Sequence, residues 1–446
     1  RVPEVLDCWF ESGSMPFAQV HYPFENRDWF DDHHPGDFIV EYIPQTRGWF
    51  YTLHVLATAL FDAPAFQNVI CHGIVLDSTG RKQSKRLRNY PDPEEVFEKQ
   101  GADALRWYLM SSPILRGGDL RMNEDASDVV EVVRQVLMPI WNAYSFFTLY
   151  ANADGRRAQA RTDSAHVLDR YVLAKTHQLV ADTTAALDAL DIAGACQSVL
   201  TFIDALNNWY IRRSRERFWG GEGGQGSADA QDTLYTVLTT LMRVAAPLLP
   251  LVSEEIYRNL TGESSVHLAD WPDAADLPAD PELVRDMDRV RDVCTAALFL
   301  REEHGLRTRL PLSQLVVAGA DAERLAPYAE LVRDEVNVKD VALTDDLAAH
   351  AEFVLRPNGR VLGPLLGADV QKVMAAARAG EWTAVDDTVE IAGHVLTGDQ
   401  FEMSLRSREG EVSQALRTND AVVVLDVDVT PELAAEGGWT EDWAQQ

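Results

Sequence analysis

The hydrophobic pattern of residues 37–76 predicts a strand, a helix and a second strand. A continuous apolar run predicts a buried parallel strand over residues 37–42. Residues 46–61 are apolar nearly all round at helical spacing, and residues 68–76 have the composition of a second strand. Because the carboxyl ends of neighbouring parallel strands meet at one edge of a sheet, this unit predicts a ligand site at that edge.

The rest of the pattern predicts helices and then a mixed region. Residues 93–111 are helical, and a bundle follows with its clearest helices at 125–150, 167–190, 194–218, 231–259 and 281–304. The glycine-rich tract 220–226 predicts a flexible connection. Beyond residue 310 the pattern predicts strands at 353–355, 389–397, 401–405 and 422–429, with a helix at 368–377. The fold class is therefore α/β with a helical bundle in the middle.

Length and composition indicate an intracellular globular protein. A chain of 446 residues predicts about three domains, which we place at 1–122, 123–305 and 306–446. No apolar run approaches the roughly 20 residues of a membrane helix, and the opening residues resemble folded structure rather than a signal peptide. We expect a cytoplasmic protein with no membrane partner.

Charge and cysteine usage narrow the chemistry. The net charge of −30 argues against non-specific binding of nucleic acid over the whole surface, although a local basic stripe remains compatible with RNA. The four cysteines are far apart and form no CxxC pair, so we expect neither a disulfide framework nor a zinc site.

A basic loop after the second strand reverses the local sign of charge. Residues 81–88 hold five cations and no acid, in a chain that is otherwise strongly acidic. An anionic substrate such as a triphosphate explains this reversal, because Lys82 and Lys85 supply mobile point charges and Ser84 a hydroxyl donor. A solvated basic turn explains the same residues without any ligand.

The loop and its flanks resemble a known family. His72 to Pro93 resembles the KMSKS signature of class I aminoacyl-tRNA synthetases, with Gln83 in place of the usual Met and Arg86 in place of the final Ser. Residues 7–14 and 41–51 resemble isoleucyl-tRNA synthetases of the eukaryote-like bacterial branch. The resemblance implies that residues 1–122 are the second half of a Rossmann-like class I catalytic domain, followed by an anticodon-binding bundle and a small mixed α/β domain.

The resemblance also implies roles for single residues. It places ATP on Lys82, Ser84 and Lys85, with both lysines catalytic, and the aminoacyl-adenylate on Glu41 and Gln45. It makes Trp9 and Trp49 the aromatic walls of the isoleucine pocket. A solvated strand-end acid and two core tryptophans are the alternatives. Many bacterial members have Gly and Asp where this chain has Tyr42 and Pro44.

Residues 207–219 interleave aromatic and basic side chains on a helix. This pattern, together with the resemblance, predicts tRNA contacts from Arg212, Arg213 and Arg217. A solvated helix face with buried aromatics explains the pattern as well.

The resemblance implies an ATP-dependent isoleucine–tRNA ligase that acts in protein synthesis. Its ligands would be ATP with Mg²⁺, L-isoleucine and isoleucine tRNA, and we expect a monomer without zinc. The HIGH signature of class I enzymes does not occur in the chain, and we expect a fragment that lacks the HIGH half and the editing domain. A catalytically inactive tRNA-binding fragment and a valyl- or leucyl-tRNA synthetase remain open.

Overall fold

The computed structural model describes residues 3, 5, 7–219, 225–385, 387–408 and 410–437. The chain divides into two compact units, Arg1–Asp280 and Pro281–Gln446. The helix that begins at Pro281 thus falls in the second unit, and the predicted boundaries at residues 122 and 305 stay predictions. Within the described part of the chain, no helix is both long and apolar enough to cross a membrane.

The first unit begins with two parallel strands joined through a helix, as the sequence predicts. In chain order the elements are α1 (Cys8–Ala18), α2 (Arg27–His33), β1 (Gly36–Tyr42), a 3-10 turn (Ile43–Arg47), α3 (Trp49–Phe61) and β2 (Phe66–His72). β1 and β2 run parallel, with Gly36 opposite Phe66 and Tyr42 opposite His72. Leu53 and Ala57 of α3 form a small core that packs against Ile39 of β1.

β1 is half exposed, so the prediction of a buried strand is wrong in this respect. Phe38 is 44% exposed and Val40 45%, on the face opposite Ile39. Among the described residues β1 and β2 form a sheet of two strands, and α3 covers the face that carries Ile39.

A second parallel pair carries the basic loop. β3 (Val75–Leu76) pairs with β4 (Leu120–Arg121), and α4 (Pro93–Gln100) and α5 (Ala102–Met110) lie between them in the chain. The predicted strand 68–76 is therefore two strands. They separate at Gly73, where a Cβ would lie 1.9 Å from the carbonyl oxygen of Gly118. This close approach allows the chain to leave β2 and pair with β4.

Helices fill the rest of the first unit. They are α6 (Ser127–Val132), a π-helical turn (Val133–Leu137), α7 (Met138–Ala153), α8 (Val167–Asp188), α9 (Ile192–Asp204), a second π-helical turn (Ala205–Ile211), α10 (Arg212–Phe218), α11 (Gln225–Ala245) and α12 (Pro250–Thr261). The predicted helix 231–259 is two helices, because Pro250 begins α12. Most of the predicted connection at 220–226 lies outside the described residues.

The second unit has the mixed α/β character that the sequence predicts. Its elements are α13 (Pro281–Glu303), β5 (Leu312–Gly319), α14 (Ala329–Val336), β6 (Val338–Thr344), α15 (Leu347–His350), β7 (Ala351–Pro357), α16 (Gly359–Leu366), α17 (Val370–Ala379), β8 (Trp382–Val385), β9 (Thr388–Ile391), β10 (His394–Thr397), β11 (Phe401–Ser407), β12 (Ser413–Ala415), β13 (Ala421–Leu425) and α18 (Pro431–Glu436). One sheet has the order β12-β13-β5-β6, β7 pairs with β11, and β8, β9 and β10 form a meander. The predicted strand 389–397 is the hairpin β9–β10.

Candidate functional site

The carboxyl ends of β1 and β2 meet at one edge of the first sheet. Glu41 lies opposite Cys71, and Tyr42 lies opposite His72. The rings of Tyr42 and His72 are 6.2 Å apart between centroids. Glu41 is half-buried, and its Oε2 accepts a hydrogen bond from the backbone N–H of Tyr42 at 3.4 Å. The predicted strand-end site therefore exists as a geometric feature.

The basic loop begins in a tight turn after β3. The N–H of Gly80 donates to the carbonyl of Asp77 at 2.9 Å, and the N–H of Asp77 donates to the carbonyl of Arg81 at 2.8 Å. Gly80 has a φ of +84°, a backbone conformation that favours glycine. Leu76 and Lys82 then form an antiparallel bridge. The turn folds the loop back along β3.

The loop lies close to the end of β1. The Lys82 Nζ is 5.4 Å from the centroid of the Tyr42 ring, in a cation–π contact, and Tyr42 directly follows Glu41. Lys82, Lys85, Arg86 and Arg88 are exposed, and within the described residues none of the four forms an ion pair. Arg81 pairs with Asp77 at 3.1 Å. The structure thus gathers unneutralised cations beside the strand edge that carries Glu41.

Ser84 acts as a turn cap in this loop. Its Oγ accepts from the N–H of Leu87 at 3.2 Å, which leaves the hydroxyl proton available to an anionic ligand. Its carbonyl accepts from the N–H groups of Leu87 and Arg88 at 3.1 and 3.0 Å. Lys85 therefore follows directly after a residue whose backbone is well defined.

Gln45, Trp9 and Trp49 come together at the start of α3. The Oε1 of Gln45 accepts from the backbone N–H of Trp49 at 2.9 Å and so caps the helix. A Cβ on Gly48 would lie 2.8 Å from Gln45 Oε1 and 3.7 Å from the Trp9 ring. Trp9 is 41% exposed, whereas Trp49 is half-buried and packs against Leu53. Trp49 therefore contributes to the core, and Trp9 has an open face.

The three arginines of the basic helix have different surroundings. Arg212 is exposed, and its Nε donates to the carbonyl of Asn208 at 2.8 Å. The Arg213 guanidinium lies 5.4 Å from the centroid of the Trp209 ring. Arg217 donates two hydrogen bonds, at 2.7 and 2.6 Å, to the buried carboxylate of Asp169. The structure therefore turns Arg212 outward and engages Arg217 inside the bundle.

Sequence reasoning missed two buried polar residues that flank the loop. Asp77 is fully buried, and Asn89 is 6% exposed. Hydrogen bonds from the Thr79 hydroxyl and the Asn89 amide hold the pKa of Asp77 well below its usual range. The available signal was an aspartate placed directly after a strand and three residues before a glycine, because Asp side chains commonly accept from the backbone of the turn they precede.

Metal coordination finds no support in the described residues. They contain no group of three or more His, Cys, Asp or Glu side chains arranged to hold an ion. Cys8 is exposed, Cys71 is half-buried, and Cys196 and Cys294 are buried.

Comparisons with known proteins match both parts of the first unit. The family model of tRNA synthetases class I (I, L, M and V) matches residues 1–123, and that of the anticodon-binding domain of tRNA ligase matches residues 169–316. Isoleucine–tRNA ligase of Nocardia farcinica is 59% identical over all of this chain and 42% of its own length. The corresponding protein of Corynebacterium efficiens is 56% identical over 99% of this chain and 41% of its own length.

A solved structure of Mycobacterium tuberculosis methionyl-tRNA synthetase in complex with methionyl-adenylate is 22% identical, with a TM-score of 0.48, and covers 57% of this chain and 51% of that chain. The chain spans about two fifths of the length of the isoleucine–tRNA ligases that it matches. The chain belongs to the class I aminoacyl-tRNA synthetase family, and over its whole length it is similar to isoleucine–tRNA ligases.

Proposed function

We propose that this chain supplies the ATP-binding loop and the anticodon-binding part of an isoleucine–tRNA ligase. Such an enzyme activates isoleucine with ATP to the aminoacyl-adenylate and transfers it to isoleucine tRNA. The observation that carries the proposal is the set of exposed cations, without ion pairs in the described residues, held beside Glu41 by the contact between Lys82 and Tyr42.

The chemistry needs cations at this place. The carboxylate of isoleucine attacks the α-phosphorus of ATP, a C–O–P linkage forms, and pyrophosphate leaves with the negative charge. Lys82 and Lys85 would stabilise that charge as it develops, and Ser84 would donate its hydroxyl proton to a phosphate oxygen. Mg²⁺ would arrive with the nucleotide.

The amino-acid end would lie beyond the carboxyl end of β1. Glu41 would accept from the amino group of the adenylate, and Gln45 would use its amide N–H₂, since its oxygen already caps α3. Trp9 and Trp49 would enclose the isoleucine side chain. An apolar pocket separates amino acids that differ by one methylene by only about 1–3 kcal/mol, so valine would enter at a measurable rate. We further propose a cytoplasmic monomer.

The test replaces the matching segment of the Nocardia farcinica protein by this chain and measures isoleucine-dependent exchange of pyrophosphate into ATP. Lys85→Ala should lower the exchange rate by about 10²–10³-fold, as for other preorganised charge-stabilising donors. Lys99→Ala is the matched control, because Lys99 lies on α4 and pairs with Glu95 at 2.8 Å. Unchanged exchange in Lys85→Ala would reject the role of this lysine. Faster exchange with valine or leucine than with isoleucine would reject the substrate.

A tRNA-binding role without catalysis is the second candidate. The anticodon-binding match and the exposed Arg212 and Arg215 on α10 favour it. The purified chain should retain isoleucine tRNA at low salt and release it as salt rises. Arg212→Ala should reduce the salt slope by about one, and an absence of retention at low salt would reject RNA binding by this chain.

A further inference from the structure

Two buried polar side chains close the ends of the basic loop on each other. Asp77 precedes the segment Ser78–Arg88 and Asn89 follows it. The Nδ2 of Asn89 donates to the Oδ2 of Asp77 at 2.7 Å. Because both residues are nearly inaccessible to water, the hydrogen bond lies in a medium where losing a partner is costly.

Asp77 holds the first half of the loop. Its Oδ1 accepts from the N–H of Thr79 at 3.0 Å, from the Thr79 hydroxyl at 2.6 Å and from the N–H of Arg81 at 2.8 Å. Its Oδ2 accepts from the Nε of Arg81 at 3.1 Å as well as from Asn89. One carboxylate therefore fixes the turn around Gly80.

Asn89 holds the second half. Its Oδ1 accepts from the backbone N–H of Ser84 at 3.0 Å, and its Nδ2 also reaches the backbone carbonyl of Lys82 at 3.3 Å. These two backbone groups flank Gln83 and lie next to the positions of Lys82 and Lys85. The direction in which each lysine leaves the chain thus depends on the Asn89 amide.

We propose that Asp77 and Asn89 are positioning residues that hold the cationic loop in one conformation before an anionic ligand arrives. The five cations of residues 81–88 repel one another, and repulsion favours an extended, mobile loop. The buried pair opposes this tendency, so the ligand does not have to order the loop on binding. The consequence for ATP rests on the proposed function, whereas the order of the loop does not.

A swap of the two side chains separates this pairing from general packing. Asn89→Asp sets two carboxylates against each other, and Asp77→Asn sets two N–H₂ groups against each other. In the double variant Asp77→Asn/Asn89→Asp, the new amide at 77 donates to the new carboxylate at 89, whose other oxygen still accepts from Ser84. The swap should therefore restore much of what each single change removes.

Limited digestion of the chain by trypsin reads the order of the loop directly. Residues 81–88 offer five cleavage sites, and cleavage after Lys99 serves as the internal reference outside the loop. Relative to that reference, Asn89→Ala and Asn89→Asp should speed cleavage within 81–88 by about tenfold, as expected for one buried hydrogen bond. The swap should return to within about threefold of the native rate. Asn68→Ala, which removes an exposed amide bonded to the carbonyl of Asp37, is the matched control.

Three outcomes would overturn the proposal. They are native cleavage rates in the single variants, an equal rise at Lys99 in Asn89→Ala, which would indicate general unfolding, and a swap that is no better than the sum of its parts. Calorimetric titration with magnesium pyrophosphate separates the proposed function. If the native chain does not bind it, the function fails while the loop result stands. If Asn89→Ala binds it as tightly as the native chain, the positioning role fails.

Discussion

Arg217 distinguishes a structural role from an RNA-binding role on α10. Its guanidinium donates two hydrogen bonds to Asp169, and its side chain is 17% exposed while that of Asp169 is fully buried. Ser164 and Tyr210 donate to the same carboxylate at 2.7 and 2.9 Å. We predict that Arg217→Met destabilises the first unit, because it leaves an ionised carboxylate in the bundle without its cation.

The size of the effect follows from these contacts. Removing one partner of a buried ion pair costs about 3–5 kcal/mol. Asp169→Asn should cost less, about 1–3 kcal/mol, because Arg217 is accessible enough to keep some water. The double variant Asp169→Leu/Arg217→Met should lie close to the native stability, because no charge is then left unpaired. The single losses should therefore be strongly non-additive.

Urea unfolding followed by circular dichroism gives these free energies. Arg212→Met is the matched control on the same helix, and it should change stability by less than about 0.5 kcal/mol, since Arg212 is exposed. In the tRNA retention assay the order should reverse, with Arg212→Met weakening binding more than Arg217→Met does at temperatures where both are folded.

The pH dependence supplies a sign check. Burial by itself raises the pKa of Asp169, but the hydrogen bonds and charge of Arg217, with Ser164 and Tyr210, outweigh it and hold the pKa below its usual 3.8. The pair's contribution is therefore complete above pH 3.8 and is lost as the pH falls through the lowered value. The gap between native and Arg217→Met should narrow in acid, because the native gain and the variant's penalty both need an ionised carboxylate.

The structural role would be refuted by two results together. One is a loss below about 1 kcal/mol in Arg217→Met, which is less than a surface-like substitution often costs. The other is a loss of tRNA retention as large as that of Arg212→Met. The sequence interpretation of Arg217 as an RNA contact would then be correct.

Three other changes have expected outcomes. Gly73→Ala should destabilise the chain by at least about 1–3 kcal/mol in urea unfolding, because its Cβ meets a backbone carbonyl at 1.9 Å, whereas Gly363→Ala in a helix with open space should stabilise it by about 0.5–1 kcal/mol. Asp103→Ala should cost about 1–2 kcal/mol in the same assay, because this buried carboxylate accepts from two N–H groups in the first turn of α12. Maleimide at neutral pH should label the exposed Cys8 in the native chain, and Cys196 only on unfolding, because burial raises the pKa of its thiol to about 12.

The sequence predicted the features that depend on local pattern. β1, α3 and β2 follow from continuous apolar runs, and the basic loop follows from a sign reversal within eight residues. The burial of β1 was not predictable in this way, because it depends on how many strands pair beside it. The number of neighbouring strands is a property of the whole sheet.

Contacts distant in the chain could not be predicted. The partner of Arg217 is 48 residues upstream, on α8, and the pattern of α10 alone gives its cations equal status. The link between Asp77 and Asn89 spans 12 residues and requires the turn at Gly80 to form first. The break between α11 and α12 was within reach, because Pro247 and Pro250 both interrupt the predicted helix.

The π-helical turn Ala205–Ile211 makes the helix that contains it sensitive to insertions and deletions. A wide turn holds about one residue more than a regular one, so deleting a single residue would let the helix relax to α-helical winding. Everything downstream would then rotate by about 100°. Arg217 would swing away from Asp169, and Trp219 would leave the Tyr150 hydroxyl that it now contacts. The length of this segment should therefore be constrained more tightly than the identity of its exposed residues.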